Sequence, residues 1–152
     1  MRKILVSKCL CGGEPVRYDG KIKTEEHPVF VKWMNEGRFV MVCPEVFGGL
    51  PVPRAEAQRQ GDKVVTIDGR DVTAEYMAGA KEAVRLANEN DVICAILKSK
   101  SPSCGNRQIY DGTFTRCLID GEGMAAELLR KEGFKVFSEK ELEEAEKFIE
   151  GK

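Results

Sequence analysis

The chain has 152 residues, 42% of them hydrophobic and 32% charged, and a formal net charge of −1. This length suits a single domain over residues 1–152 with one core, and the near balance of charge excludes a field that would gather nucleic acid or an anionic membrane non-specifically. No apolar run reaches transmembrane length and "MRKILVSKCLCGG" lacks the features of a signal peptide, so the expected location is the cytoplasm, where thiols stay reduced.

Ile4, Leu5 and Val6 form a short apolar run that reads as a first buried strand. Residues Pro28 to Glu36 carry Val29, Trp33 and Met34 at helical spacing, with Pro28 suited to a first turn and Gly37 to the exit. Phe39 to Val42 is the second strand, and the Gly48, Gly49, Pro51 and Pro53 that follow forbid regular structure. Lys63 to Ile67, followed by Asp68 and Gly69, predicts a small extended arm with a tight turn. Thr73 is placed to cap a long helix whose apolar face is Tyr76, Met77, Ala80, Val84 and Ala87. Val92 to Leu97 is the strongest strand signal, and it leads into the long loop "KSKSPSCGNRQIYDGTFTR". A helix over Gly123 to Lys131, a strand over Phe134 to Phe137, and a capping box of Ser138 and Glu141 before a last helix complete the chain. Such alternation predicts an α/β fold, a mainly parallel sheet with helices on both faces in the Rossmann-like manner.

Six cysteines in a reduced compartment do not imply a disulfide framework, and any one of them is by default a small buried hydrophobe. Position separates them. Cys9 lies just past the first strand, Cys43 just past the second, and Cys104 a loop's length past Leu97. In a parallel sheet these exits share one edge, where ligands sit, so the three thiols can converge. Cys94 falls inside a strand and Cys117 in the run "CLI", and both read as packing. Cys11 is left outside the ligand set, because a one-residue gap turns neighbouring side chains apart in extended backbone.

His27 is the only histidine, which removes a Cys–His catalytic pair and a Cys2His2 zinc site. Three soft thiolates then favour zinc or an iron-sulfur cluster. A structural zinc site closes its tetrahedron with a fourth ligand and is usually announced by C-x-x-C spacing, which is absent here. Three scattered ligands leave a metal position open, as a Lewis-acid catalyst requires.

Taken in order, "SKCLCGGEPVRYDG", "VCPEVFGGLPVPR", "GRDVT" with its following "GA", "LKSKSPSCG", "IYDGTF" and "GEGMAAELL" resemble the thiouracil desulfidase family over nearly the whole chain. The resemblance implies a 4Fe-4S cluster held by Cys9, Cys43 and Cys104, with the fourth iron free to take the sulfur of a thiolated pyrimidine. It also marks Glu45 as general base or acid and Ser101 as its hydrogen-bonding partner or proton relay. Water would replace sulfur by oxygen without net redox chemistry, and sulfide would leave through the open iron. On the residues alone, a solvated loop carboxylate and a serine opening a Ser-Pro turn explain Glu45 and Ser101 equally well.

Arg17, Arg54, Lys98 and Arg107 lie in loops expected at the same sheet edge, where a base or nucleotide would need cations. The segment Gly121 to Gly123, opening a helix, offers backbone N–H groups to an anion. The two "YDG" stretches read first as tight turns. Rival readings are a zinc-binding structural or interaction module, a sulfur-transfer enzyme acting on tRNA, and a thiol redox protein. The second needs an ATP-binding loop that this sequence lacks, and the third a C-x-x-C pair. The expected partner is therefore a small thiolated base or nucleotide, with neither a membrane nor strong nucleic-acid binding.

Overall fold

A computed structural model describes residues 1–151. Its centre is a four-stranded sheet in the order β2-β1-β5-β8, formed by β1 (Ile4–Ser7), β2 (Phe39–Val42), β5 (Cys94–Leu97) and β8 (Val136–Ser138). Every neighbouring pair is parallel. Between them run α1 (Pro28–Asn35), the single turn α2 (Pro44–Phe47), the long α3 (Thr73–Glu89), α4 (Met124–Lys131) and, last, α5 (Leu142–Glu150).

Side-chain alternation along the strands divides the core into two layers. Leu5, Ala95 and Leu97 face α3 and α4, packing with Tyr76, Ala80, Ala83, Ala125 and Leu129. Ile4, Val6, Cys94 and Ile96 face α1 and α5, packing with Phe30, Trp33, Leu142 and Ala145. Because both faces are covered, the central strands read as continuous apolar runs rather than as alternation. The expected α/β architecture is the one observed. No helix among the described residues is long and apolar enough to cross a membrane.

Two antiparallel hairpins flank the carboxyl edge of this sheet. The expected arm is β4 (Lys63–Thr66), paired with β3 (Ala57–Gln60), a strand too polar in sequence to be recognised. The second hairpin, β6 (Gln108–Tyr110) with β7 (Leu118–Asp120), stands within the stretch read as loop. Two capping details differ from expectation. Val72, not Thr73, precedes α3, because the Thr73 hydroxyl is occupied in accepting the Val64 N–H at 2.9 Å. At α5 the Glu141 carboxylate does reach back to the Ser138 N–H at 3.0 Å, but the Ser138 hydroxyl accepts from Lys140 instead.

Candidate active site at the carboxyl edge of the sheet

Strand register sets the first two thiols side by side. Ser7 of β1 pairs with Val42 of β2. Cys9 follows in the 3-10 turn Lys8–Leu10, and Cys43 stands at the start of α2. Cys104 arrives from β5 on a tight loop whose Gly105 N–H bonds the Ser101 carbonyl at 2.9 Å. All three line one cavity of about 480 Å³, and Cys9 feels the charge of both Cys104 and Cys43.

The motif "GEGMAA" explains how the third thiol is held. The N–H groups of Met124 and Ala125, opening α4, bond the carbonyls of Pro102 at 2.9 Å and Ser103 at 2.8 Å, and Gly123 N–H bonds Gly105. A Cβ at Gly123 would fall on the Ser103 carbonyl, so the backbones can meet only at glycine. The N-terminus of α4 is thus spent on the Cys104 loop and is not the anion site expected from sequence.

Burial raises the thiol pKa of Cys9, of Cys43 and of Cys104, the last to about 12. At Cys104 the Ser7 hydroxyl and then that of Ser103 work against burial. Ser103 Oγ is fully buried and has no nitrogen or oxygen partner among the described residues, which leaves it as a donor for sulfur. Thiols of this kind are neutral without metal and give up protons on binding it. No three His, Cys, Asp or Glu side chains among the described residues are grouped around the point that one metal ion would occupy. Three thiols on one cavity with no histidine are the soft donor set that an iron-sulfur cluster takes.

The other three cysteines stand apart from the cavity. Cys94 is buried in β5, as expected, and Cys11 packs against the α1 side of the core with its thiol near the Ser7 carbonyl. Cys117 is exposed, contrary to the packing expected of it, because β7 belongs to an outlying hairpin and not to the sheet. His27 caps α1, accepting the Val29 N–H at Nδ1.

Glu45 and Ser101 both line the cavity. The first turn of α2 carries Glu45, whose Oε1 accepts from Tyr76 Oη at 2.7 Å and from Arg54 Nε at 3.1 Å. Ser101 Oγ accepts the N–H groups of Ser103 and Cys104, each at 3.1 Å, and keeps its own proton to donate. The partners of Glu45 are therefore Tyr76 and Arg54, not Ser101 as expected. Tyr76 read in sequence as part of an apolar stripe; burial first, and then Glu45, raise its pKa above the phenol range.

Of the four cations singled out in sequence, Arg17, Arg54 and Lys98 line the cavity. Arg54 is committed to Glu45 and Lys98 to Glu139, whose carboxylate also takes the Ser99 N–H at 2.7 Å. Arg107 is a correction: its exposed guanidinium does not line the cavity, because the Glu141 carboxylate holds it at 2.6 Å. The "YDG" stretches are turns, with Gly20 and Gly112 at positive φ; Tyr18 and Tyr110 reach the cavity and their aspartates do not.

Lys100, Phe114 and Arg116 also line it, all three at positive φ, a conformation that only the folded loop reveals. The one sequence signal for them was the length of the loop that holds them.

A family profile described as 2-thiouracil desulfurase matches residues 4–141. The chain belongs to the 2-thiouracil desulfurase family. The family is named for taking sulfur from a small molecule, and its member here is an enzyme of the thiouracil desulfidase class. Within it, the uncharacterized protein YbbK of Bacillus subtilis (strain 168) is 42% identical over 149 residues, which cover 91% of this chain and 97% of YbbK. A solved structure described as the [4Fe-4S]-dependent thiouracil desulfidase TudS is 48% identical and superposes with a TM-score of 0.91 over 95% of both chains.

Proposed function

We propose that this protein is a [4Fe-4S]-dependent desulfidase acting in the cytoplasm as one catalytic unit, which exchanges the sulfur of a thiolated pyrimidine for oxygen. The observation that carries the reading is the convergence of Cys9, Cys43 and Cys104, from three parallel strand exits, on a cavity that also holds Glu45 and Ser101. The three thiols would hold the cluster. Bound there with one iron free of protein ligands, it supplies a soft Lewis acid for the thiocarbonyl sulfur.

The chain's own groups manage water and protons. Glu45 accepts a proton from the water that adds to the ring carbon. The Ser101 hydroxyl, fixed by two backbone N–H groups, donates toward the departing sulfur and is restored through the cavity water. One C–S bond is replaced by one C–O bond, one water is consumed, sulfide leaves, and no electrons are gained or lost. The roughly 480 Å³ volume suits a base or a nucleotide, and Lys100 and Arg116 are cations at its rim without a carboxylate partner among the described residues. They favour thiouridine nucleotides, with an anionic end, among the candidate substrates.

The test is anaerobic reconstitution with iron and sulfide, followed by an assay of sulfide release from 2-thiouracil, 4-thiouracil and 4-thiouridine monophosphate. Release from at least one of them is expected. A fully loaded protein inert toward all three contradicts the proposal.

A further inference from the structure

We infer that Tyr76, acting with Arg54, is a positioning residue that seats one oxygen of Glu45 and leaves the other to handle the proton. This rests on the reading of Glu45 as the proton-handling carboxylate. Tyr76 Oη donates to Glu45 Oε1 at 2.7 Å, Arg54 Nε donates to that same oxygen at 3.1 Å, and Arg54 Nη2 stands 3.1 Å from it in the ion pair. No hydrogen bond to Oε2 is made among the described residues, although Glu45 lines the cavity. Two hydrogen bonds occupy Oε1, so the oxygen left open to a water in the cavity is Oε2.

Both donors are themselves held. Arg54 Nη2 bonds the Val16 carbonyl at 2.9 Å and Nη1 that of Pro51 at 3.2 Å. Tyr76 is 1% exposed, in a layer otherwise built from Leu5, Val42, Val72, Ala80 and Ala83. A phenol hydroxyl in such surroundings is costly unless bonded, and phenylalanine would serve packing as well. Among the described residues the only partner of this hydroxyl is Glu45. Below it, α3 approaches α2 so closely that a Cβ at Gly79 would strike the Pro44 carbonyl, which fixes the height of Tyr76 against Glu45.

Tyr76→Phe keeps the ring and removes one donor. We expect iron and sulfide content and the thermal midpoint to stay at wild-type values, KM for the thiolated substrate to hold, and kcat to fall about tenfold or more, the scale of a charge-assisted hydrogen bond. A crystal structure of the variant should show the Glu45 carboxylate turned from its seat. Arg54→Lys should likewise lower kcat at constant KM, whereas an Arg54 that binds substrate would raise KM. Glu45→Gln separates the two levels of inference. If it is fully active, the reading of Glu45 fails; if it is inactive while Tyr76→Phe turns over at the wild-type kcat with its carboxylate unmoved, only the positioning role is overturned.

Discussion

Cys9, Cys43 and Cys104 each follow the carboxyl end of a strand in the parallel sheet and line the cavity there, whereas Cys11, also past β1, packs against the α1 side of the core. This was legible in sequence, because strands are apolar runs and their exits are marked by a break in pattern. The surroundings of the thiols were not, since they come from residues distant in the chain. Ser7, whose hydroxyl faces Cys104, reads in sequence as an ordinary strand end. The cysteines give a residue-scale prediction. Substitution of any one of the three by serine should abolish retention of the visible iron-sulfur chromophore after anaerobic reconstitution, whereas Cys11→Ser and Cys117→Ser should keep it. Glu45→Gln should keep the chromophore and lose at least a hundredfold in kcat, on the order expected for a general base. Normal turnover by that variant would take Glu45 out of the reaction.

At the scale of elements, the sheet and its main helices were readable from apolar period, although the expected caps at Thr73 and Ser138 were not the ones used, and of the two hairpins only the β4 arm was legible. β3, "AQRQ", buries Gln58 and Arg59 instead of apolar groups; Gln58 accepts the Gly112 N–H at 3.0 Å and Arg59 bonds Glu127 at 3.1 Å. A strand stabilised by tertiary polar contacts carries no apolar alternation to find. The grip of α4 on the Cys104 loop gives the sharpest test at this scale. Gly123→Ala must push the Ser103 backbone aside, and should cost about 2 kcal/mol or more in denaturant unfolding and lower cluster occupancy, as overpacking does. A variant as stable as the parent would show that the two backbones are free to part.

Glu139 links the exits of β8 and β5. Burial pushes its pKa up, but the hydrogen bonds from Lys98 and Ser99 outweigh this and hold it below the usual carboxylate range. The ionised form is thus favoured in the folded state. Its contribution is present above the unfolded value, ~4.3, and is lost as pH falls through the lower, folded one. Glu139→Gln should therefore melt below wild type at pH 7, with the difference shrinking toward pH 3. A constant difference across that range would deny the carboxylate this role.

On the scale of the whole molecule, a parallel sheet covered on both faces leaves its carboxyl edge as the open region where loops can gather ligands. The chain places three thiols, a held carboxylate and a fixed hydroxyl there, and the β6–β7 hairpin brings Tyr110, Phe114 and Arg116 to the same cavity. That general division of labour followed from strand order; the partners of each cation did not, because carboxylates such as Glu139 and Glu141 lie far along the sequence from the residues they hold. The central claim is that three cysteines hold a cluster whose remaining iron meets the substrate. It is tested most directly by the Mössbauer spectrum of protein reconstituted anaerobically with iron-57, before and after addition of 4-thiouracil. One iron of a [4Fe-4S] cluster should be distinct from the other three and should alone shift when the thiolated base is added. Four equivalent irons, or a spectrum that the base leaves unchanged, would contradict it.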